Sequence, residues 1–85
     1  MEEEIGRISH YFCKIDVGVV ELTNGELRVG DTIHIKGHTT DFCQKIESLQ
    51  VEHNSVASIK KGESAGLKVK SHVRENDIIF KVTED

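Results

Sequence analysis

The apolar residues of this chain recur at every second position over most of its length, and that period limits what the chain can fold into. Valine, isoleucine and threonine fill most of these positions, and no stretch carries apolar residues at helical spacing across three turns. Alternation of this kind is typical of strands that bury one face. A chain of 85 residues has room for one core and none for a second domain. We therefore predict a single all-β domain over residues 5–83, preceded by an acidic tail over residues 1–4.

Turn residues divide the alternating segments into six strands. Asn24-Gly25 is the strongest turn signal, because both residues reach positive φ at low cost, and it predicts a type I′ hairpin. A change of phase at Gly18-Val19-Val20 predicts a bulge where the sheet bends. Closing a sheet of six short strands pairs the backbone groups of its two edge strands, so we predict a closed six-stranded antiparallel β-barrel. The predicted strands are residues 5–12; residues 13–22, with Cys13, Ile15, Val17 and Val19 facing inward; one with Ile33 and Ile35 inward; one from Asp41 to Val51; one with Ala65, Leu67 and Val69 inward; and a last one carrying Ile78, Phe80 and Val82.

The charge distribution limits the partners of such a barrel. The net charge is −4, but five of the 15 acidic residues lie at the two ends of the chain, which leaves a body close to neutral. No apolar run approaches the roughly 20 residues that cross a bilayer, and the N-terminus opens with Glu2-Glu3-Glu4 in place of a basic segment. We therefore expect no membrane contact and a cytoplasmic location. Two cysteines are too few for a disulfide framework, so we expect half-buried free thiols.

Several motifs resemble a known barrel. The run Gly25–Gly37, the run Lys61–Val69 and the turn Asn76-Asp77-Ile78 look like domain two of the translational GTPases, the elongation and initiation factors. The chain is more closely similar to short proteins described as translation elongation factor-like and to the barrel appended to U32-type collagenase-like peptidases. Thr39-Thr40-Asp41-Phe42 and His53 belong to this closer similarity.

This resemblance implies a non-catalytic binding module that associates with RNA or the translation machinery. The alternative is a protein-interaction module for a partner enzyme, such as a U32-type collagenase-like peptidase, with no RNA contact. The chain lacks the Gly-x-x-x-x-Gly-Lys-Ser/Thr loop that cradles phosphates, which excludes nucleotide hydrolysis. Where elongation factors carry a glycine- and arginine-containing stretch, this chain has Cys13-Lys14-Ile15-Asp16, so no RNA-contact residue is transferred by position.

Two groups of residues are candidates for binding RNA or a partner. The basic group consists of Lys60, Lys61, Lys68, Lys70 and Arg74, and its lysines either contact phosphates or serve as the polar outer positions of a strand. The second group is the loop that contains His38 and Phe42. An exposed Phe42 could stack on a base or fill a pocket, whereas an inward Phe42 anchors the start of a strand.

Catalysis and metal binding have weaker support. His10, Cys13, His38 and Cys43 are residue types that bind zinc, but their spacing lacks a tight knuckle, and Cys13 alternates with Ile15 and Val17 as a core residue would. A reactive thiolate requires an accessible, electropositive setting that the sequence does not show. We expect no metal, no cofactor and no enzymatic activity.

Overall fold

The computed structural model describes residues 2–83. It has ten strands: β1 (Glu2–Phe12), β2 (Val17–Leu22), β3 (Glu26–Arg28), β4 (Thr32–Lys36), β5 (Asp41–Lys45), β6 (Leu49–Val51), β7 (Asn54–Val56), β8 (Ser58–Lys60), β9 (Ser64–Lys68) and β10 (Ile78–Val82). Eight form one sheet in the order β5-β4-β10-β1-β2-β9-β6-β7, while β3 and β8 form a separate ribbon. All pairs are antiparallel, which confirms the all-β prediction. No helix within residues 2–83 is long and apolar enough to cross a membrane.

The predicted closed barrel of six strands is not confirmed, since among residues 2–83 the large sheet has eight strands with β5 and β7 at its ends. The sheet nevertheless curls, and the buried side chain of Gln44 on β5 marks the curl. Its Nε2 donates to the carbonyl oxygen of Lys68 at 2.9 Å, and its Oε1 accepts from the amide of Lys70 at 2.9 Å. A side chain thus brings β5 to the end of β9, five places away in strand order.

One aliphatic core lies inside the curl. The ribbon covers it with Leu27 from β3 and Ile59 from β8, both almost fully buried. Predicted inward residues of β4 and β9 are confirmed, since Ile33, Ile35, Ala65 and Leu67 are buried, as is Val69 just beyond β9. The buried apolar residues are Ile5, Ile8, Val20, Leu22, Leu27, Ile33, Ile35, Ile46, Leu49, Ile59, Ala65, Leu67, Val69, Val73 and Ile79.

The bulge predicted on β2 lies instead on its partner β1. The pairs Ile8–Val20 and His10–Val19 leave Ser9 as an extra residue on β1. A second irregularity, between Glu4 and Gly6, leaves Ile5 extra against β10. The β2 strand itself alternates without interruption. Bulges bend the strand that carries them, so β1 is where the sheet turns.

The predicted Asn24-Gly25 hairpin is wrong. Of these two residues only Gly25 has a positive φ, 70°, and β2 pairs with β1 and β9 while β3 pairs with β8. The segment leads from the sheet to the ribbon. The amides of Thr23 and Asn24 donate to the carbonyl oxygen of Ile5 at 2.8 and 3.1 Å, so tertiary hydrogen bonds replace those of a hairpin.

Other predicted boundaries also differ. Residues 13–16 form a turn before β2, and the strand predicted from Asp41 to Val51 is divided into β5 and β6. Residues 53–58, predicted as a connection, contribute to β7 and β8. The acidic residues 2–4 lie within β1, where they pair with β10. The predicted half-buried thiols are exposed: Cys13 lies in the turn, and Cys43 points outward from β5.

His34 holds the start of β1 against the sheet. Its Nδ1 lies 3.0 Å from both carboxylate oxygens of Glu2, its Nε2 bonds the carboxylate of Asp41 on β5, and its side chain is only 15% exposed. The hydrogen bonds to Asp41 and then Glu2 raise the pKa of His34 above its usual 6.5. The hydrogen bond from His34 in turn lowers the pKa of Asp41 below 3.8. A protonated imidazole between two carboxylates is the favoured state.

Gly6 generates a prediction about the approach of β1 and β2. A Cβ atom at this position would overlap the backbone carbonyl oxygen of Glu21, which cannot move without disturbing the ladder. We expect Gly6→Ala to lower the free energy of unfolding by roughly 1–3 kcal/mol, measured by urea denaturation. Gly66→Ala is the matched control, because its Cβ would meet mainly the Val17 side chain, at 3.3 Å. Equal stability of the two variants would contradict this account.

His34 generates a prediction about pH. Because its folded pKa is raised, its stabilising effect is complete below about pH 6.5 and is lost as the pH rises through the folded value. The difference in unfolding free energy between the wild type and His34→Gln should therefore be larger at about pH 5.5 than at about pH 9. His38→Gln is the control, since His38 is exposed in the β4–β5 turn and has no carboxylate partner within residues 2–83. A difference independent of pH would show that the ion pairs contribute nothing.

Candidate functional site

The strand β2 is apolar on both faces over Val17–Val20, before Glu21. Gly18, Val20 and Leu22 face the core, while Val17 and Val19 lie half-buried on the outer face of the sheet. Outer positions of an antiparallel sheet with one solvated face are usually polar. The two valines therefore mark a part of the surface that departs from the ordinary pattern.

The turn between β1 and β2 extends this apolar surface. Phe12 and Ile15 are large hydrophobic residues that are 47% and 60% exposed, and Phe12 pairs directly with Val17. The amide of Ile15 donates to the carbonyl oxygen of Phe12 at 3.3 Å, which closes the turn. Contiguous exposed apolar side chains of this kind are typical of interaction sites.

These residues line one side of a concave site that we call the apolar groove, with a volume of about 420 Å³. The turn after β6 forms its other side, and β2 and β9 form its floor. A smaller depression of about 170 Å³ continues the groove toward Lys68. The groove is lined by Phe12, Ile15, Val17, Val19, Gln50, Val51, Glu52, His53, Ser64, Ala65 and Gly66.

The floor of the groove is open because β9 places a glycine there. Gly66 pairs with Val19 on one side and Gln50 on the other, and a Cβ on it would lie 3.3 Å from Val17 Cγ1. A larger side chain at this position would point into the groove. The missing side chain therefore keeps the backbone of β9 accessible from outside.

Aromatic contacts fix the end of β1 that carries the groove wall. The ring of His10 packs edge-on against Phe12, with centroids 4.4 Å apart. On the opposite face Tyr11 packs against the core and edge-on against His72 at 4.6 Å, and its hydroxyl donates to Asp16 at 3.4 Å. Desolvation, followed by the nearby Asp16 carboxylate, raises the pKa of Tyr11 above 10, so its hydroxyl stays protonated. Contacts on the inner face of β1 therefore hold the strand end that carries Phe12 in the groove wall.

The groove is suited to burying apolar groups. Ser64 and His53 both line it, but within residues 2–83 no hydrogen bond joins their side chains, so the paired serine and base of a nucleophilic site is not formed. Its volume lies within the range of about 300–1,000 Å³ seen for sites that hold small ligands. Its lining of valine, isoleucine and phenylalanine favours an apolar occupant.

The predicted basic residues lie on different elements. Lys60 and Lys61 lie at the ribbon end, where the amide of Lys61 donates to Gly25 and that of Lys60 to Glu63 Oε1. Lys68 ends β9 and lines a depression of about 180 Å³ together with Lys45 and Lys70. The amide of Arg74 donates to Asp77 Oδ2 in the turn before β10. All five predicted basic side chains are exposed, and their role in binding stays a prediction.

The two loop candidates also separate. His38 is exposed in the β4–β5 turn, while Phe42 pairs with the buried Ile35 and packs against the core. Phe42 is therefore the inward anchor of the two alternatives considered from sequence. Within residues 2–83 no group of three or more His, Cys, Asp or Glu side chains is placed to hold a metal ion.

Sequence reasoning missed the groove because it placed the groove residues in the core. Cys13 and Ile15 lie exposed in the turn before β2, and Val17 and Val19 lie on the outer face of β2, so none of the four faces inward as predicted. The available signal was the run Val17–Val20, which is apolar at both odd and even positions and so indicates a strand segment with both faces covered.

Comparison with curated proteins identifies two peptidase relatives. The chain is 39% identical over 82 residues to an uncharacterized protease of Methanocaldococcus jannaschii. It is 35% identical over 78 residues to a collagenase of Porphyromonas gingivalis. These alignments cover 95% and 91% of this chain but only 20% and 22% of the relatives, so the chain spans about a fifth of their length. No family model matches the chain.

Solved structures show the same fold. The C-terminal domain of a Geobacillus thermoleovorans protein assigned to the U32 peptidases superposes with a TM-score of 0.87 at 21% identity, covering 95% of this chain and 93% of that one. Its selenomethionine variant gives a TM-score of 0.84 at 22% identity, covering 91% and 96%.

These comparisons correct the predicted relationship. Identification of the chain as translation elongation factor-like and as RNA-binding is wrong, because its sequence relatives are named protease and collagenase and its structural neighbours are U32 peptidase domains. The motifs behind that identification were turn glycines and alternating aliphatic residues, which a curled antiparallel sheet requires whatever its partner. The chain has the fold of the C-terminal domain of a U32 peptidase.

Proposed function

We propose that this chain is a non-catalytic accessory module of a U32-type peptidase, and that it supplies a binding surface for protein. The observation that carries the proposal is the apolar groove on a fold shared with a U32 peptidase C-terminal domain. Two peptidase relatives, each matched over about a fifth of its length, support the same reading.

The arrangement of ionisable groups supports a non-catalytic role. His34 and Cys43 occupy paired positions on β4 and β5, as the cysteine and histidine of a dyad could. Both ring nitrogens of His34 are engaged by carboxylates, so neither is free to take a proton from the thiol. The reacting groups of the peptidase would then lie outside this module.

A protein partner fits the surface better than a nucleic acid. The groove has no lysine or arginine among its lining residues, whereas phosphate binding depends on clustered lysine and arginine. The relatives named protease and collagenase act on polypeptides, so a module of such an enzyme would meet polypeptide.

The proposal predicts the behaviour of a chimeric peptidase. Deletion of the matching 78-residue segment from the P. gingivalis collagenase should lower its cleavage of denatured collagen about tenfold or more, because a second binding site raises the local substrate concentration. Insertion of this chain in its place should restore most of that cleavage. Hydrolysis of a short peptide should change little in either protein.

A flexible glycine and serine segment of equal length is the control insert. This chain alone should not cleave denatured collagen. A folded chimera no more active than the control, or hydrolysis by the isolated chain, would contradict the proposed function.

A further inference from the structure

We propose that the apolar groove binds a short extended segment of unfolded polypeptide, burying its apolar side chains while its backbone passes over Gly66. This inference rests on the proposed function, because the unfolded segment would be part of the peptidase's substrate. It goes further by naming the surface and the chemistry of its occupant.

The size of the groove favours a short segment over a folded domain. Eleven residues line it, whereas a stable interface between folded proteins takes about 20–30 residues a side. The groove and its 170 Å³ continuation share Ile15, Val17, Gln50 and Gly66, so together they form an elongated trough. An extended peptide has the shape to fill it.

Gly66 favours an occupant with a backbone. A glycine inside a strand typically marks a bulge, a bend or the close approach of a ligand or another backbone. The pairings Val19–Gly66 and Gly66–Gln50 continue their neighbours without a shift of register, so no bulge accounts for it. A Cβ here would press on Val17 Cγ1 at 3.3 Å, so glycine relieves that contact and also leaves the backbone of β9 open to close approach from the solvent side.

Ring contacts hold the wall of the groove that carries Phe12. His10 braces the Phe12 ring from one side, and Tyr11 anchors the same strand end through the core, His72 and Asp16. The Phe12 ring would then lose little freedom on binding, which is the advantage of a preorganised side chain.

The test is a binding titration with an unfolded polypeptide. Fluorescently labelled, reduced and carboxymethylated α-lactalbumin is titrated with the chain, and anisotropy reports binding. We expect saturable binding, about tenfold weaker for Ile15→Ser and for Phe12→Ser, since each removes a large apolar side chain from the groove. Val29→Ser is the matched control, because Val29 is also an exposed hydrophobic residue, 43% exposed, but lies outside the groove.

Thermal unfolding verifies that the variants are folded. The unfolding temperature of Ile15→Ser should equal that of the wild type, because Ile15 lies in an exposed turn.

Absence of binding, or equal affinity of Ile15→Ser and Val29→Ser, would overturn the proposal. Self-association lost only in Ile15→Ser would assign the groove to a second copy instead. Association with a folded collagenase body that the unfolded polypeptide cannot displace would assign it to that body. If the chimera cleaves denatured collagen equally well with and without Ile15→Ser, the proposed function is supported and this inference alone is contradicted.

Discussion

The two bulges of β1 are the constraint on which the rest of the structure depends. This strand lies at the middle of the sheet, pairs with β10 and β2, and carries the extra residues Ile5 and Ser9. Each extra residue bends the strand, and Gly6 between them lets β2 approach closely. The sheet can then curl until Gln44 of β5 reaches the backbone at the end of β9. The single aliphatic core is the space inside that curl.

The curl also determines which side chains lie on the outer face of the sheet. With Val20 and Leu22 turned into the core, strand geometry sends Val17 and Val19 to the outer face, beside the exposed turn of Phe12 and Ile15. Such a surface contributes nothing to a folded core and increases the risk of aggregation. An occupant would bury this surface, and this connects the strand pattern to the proposed role as a binding module.

Much of the fold could be predicted from the sequence in strands whose apolar residues occupy only one face. In β4, Ile33 and Ile35 alternate with polar residues, and in β9 Ala65 and Leu67 alternate with Ser64, Gly66 and Lys68, so the inward face was unambiguous. In β2 both faces are apolar, and only pairing with β1 and β9 decides which one is buried. The basic group was inferred from closeness in sequence, and the structure places Lys60 on β8 and Lys68 on β9, so its role stays a prediction.

The central claim is that β2 turns Val20 and Leu22 inward and leaves Val17 and Val19 at an open outer face. The most direct measurement is the relaxation of methyl protons by a soluble paramagnetic compound, recorded by NMR on the isolated chain. The account predicts strong relaxation for Ile15, Val17 and Val19 and weak relaxation for Val20 and Leu22. The reverse order, with Val17 and Val19 protected and Val20 and Leu22 relaxed, would contradict it.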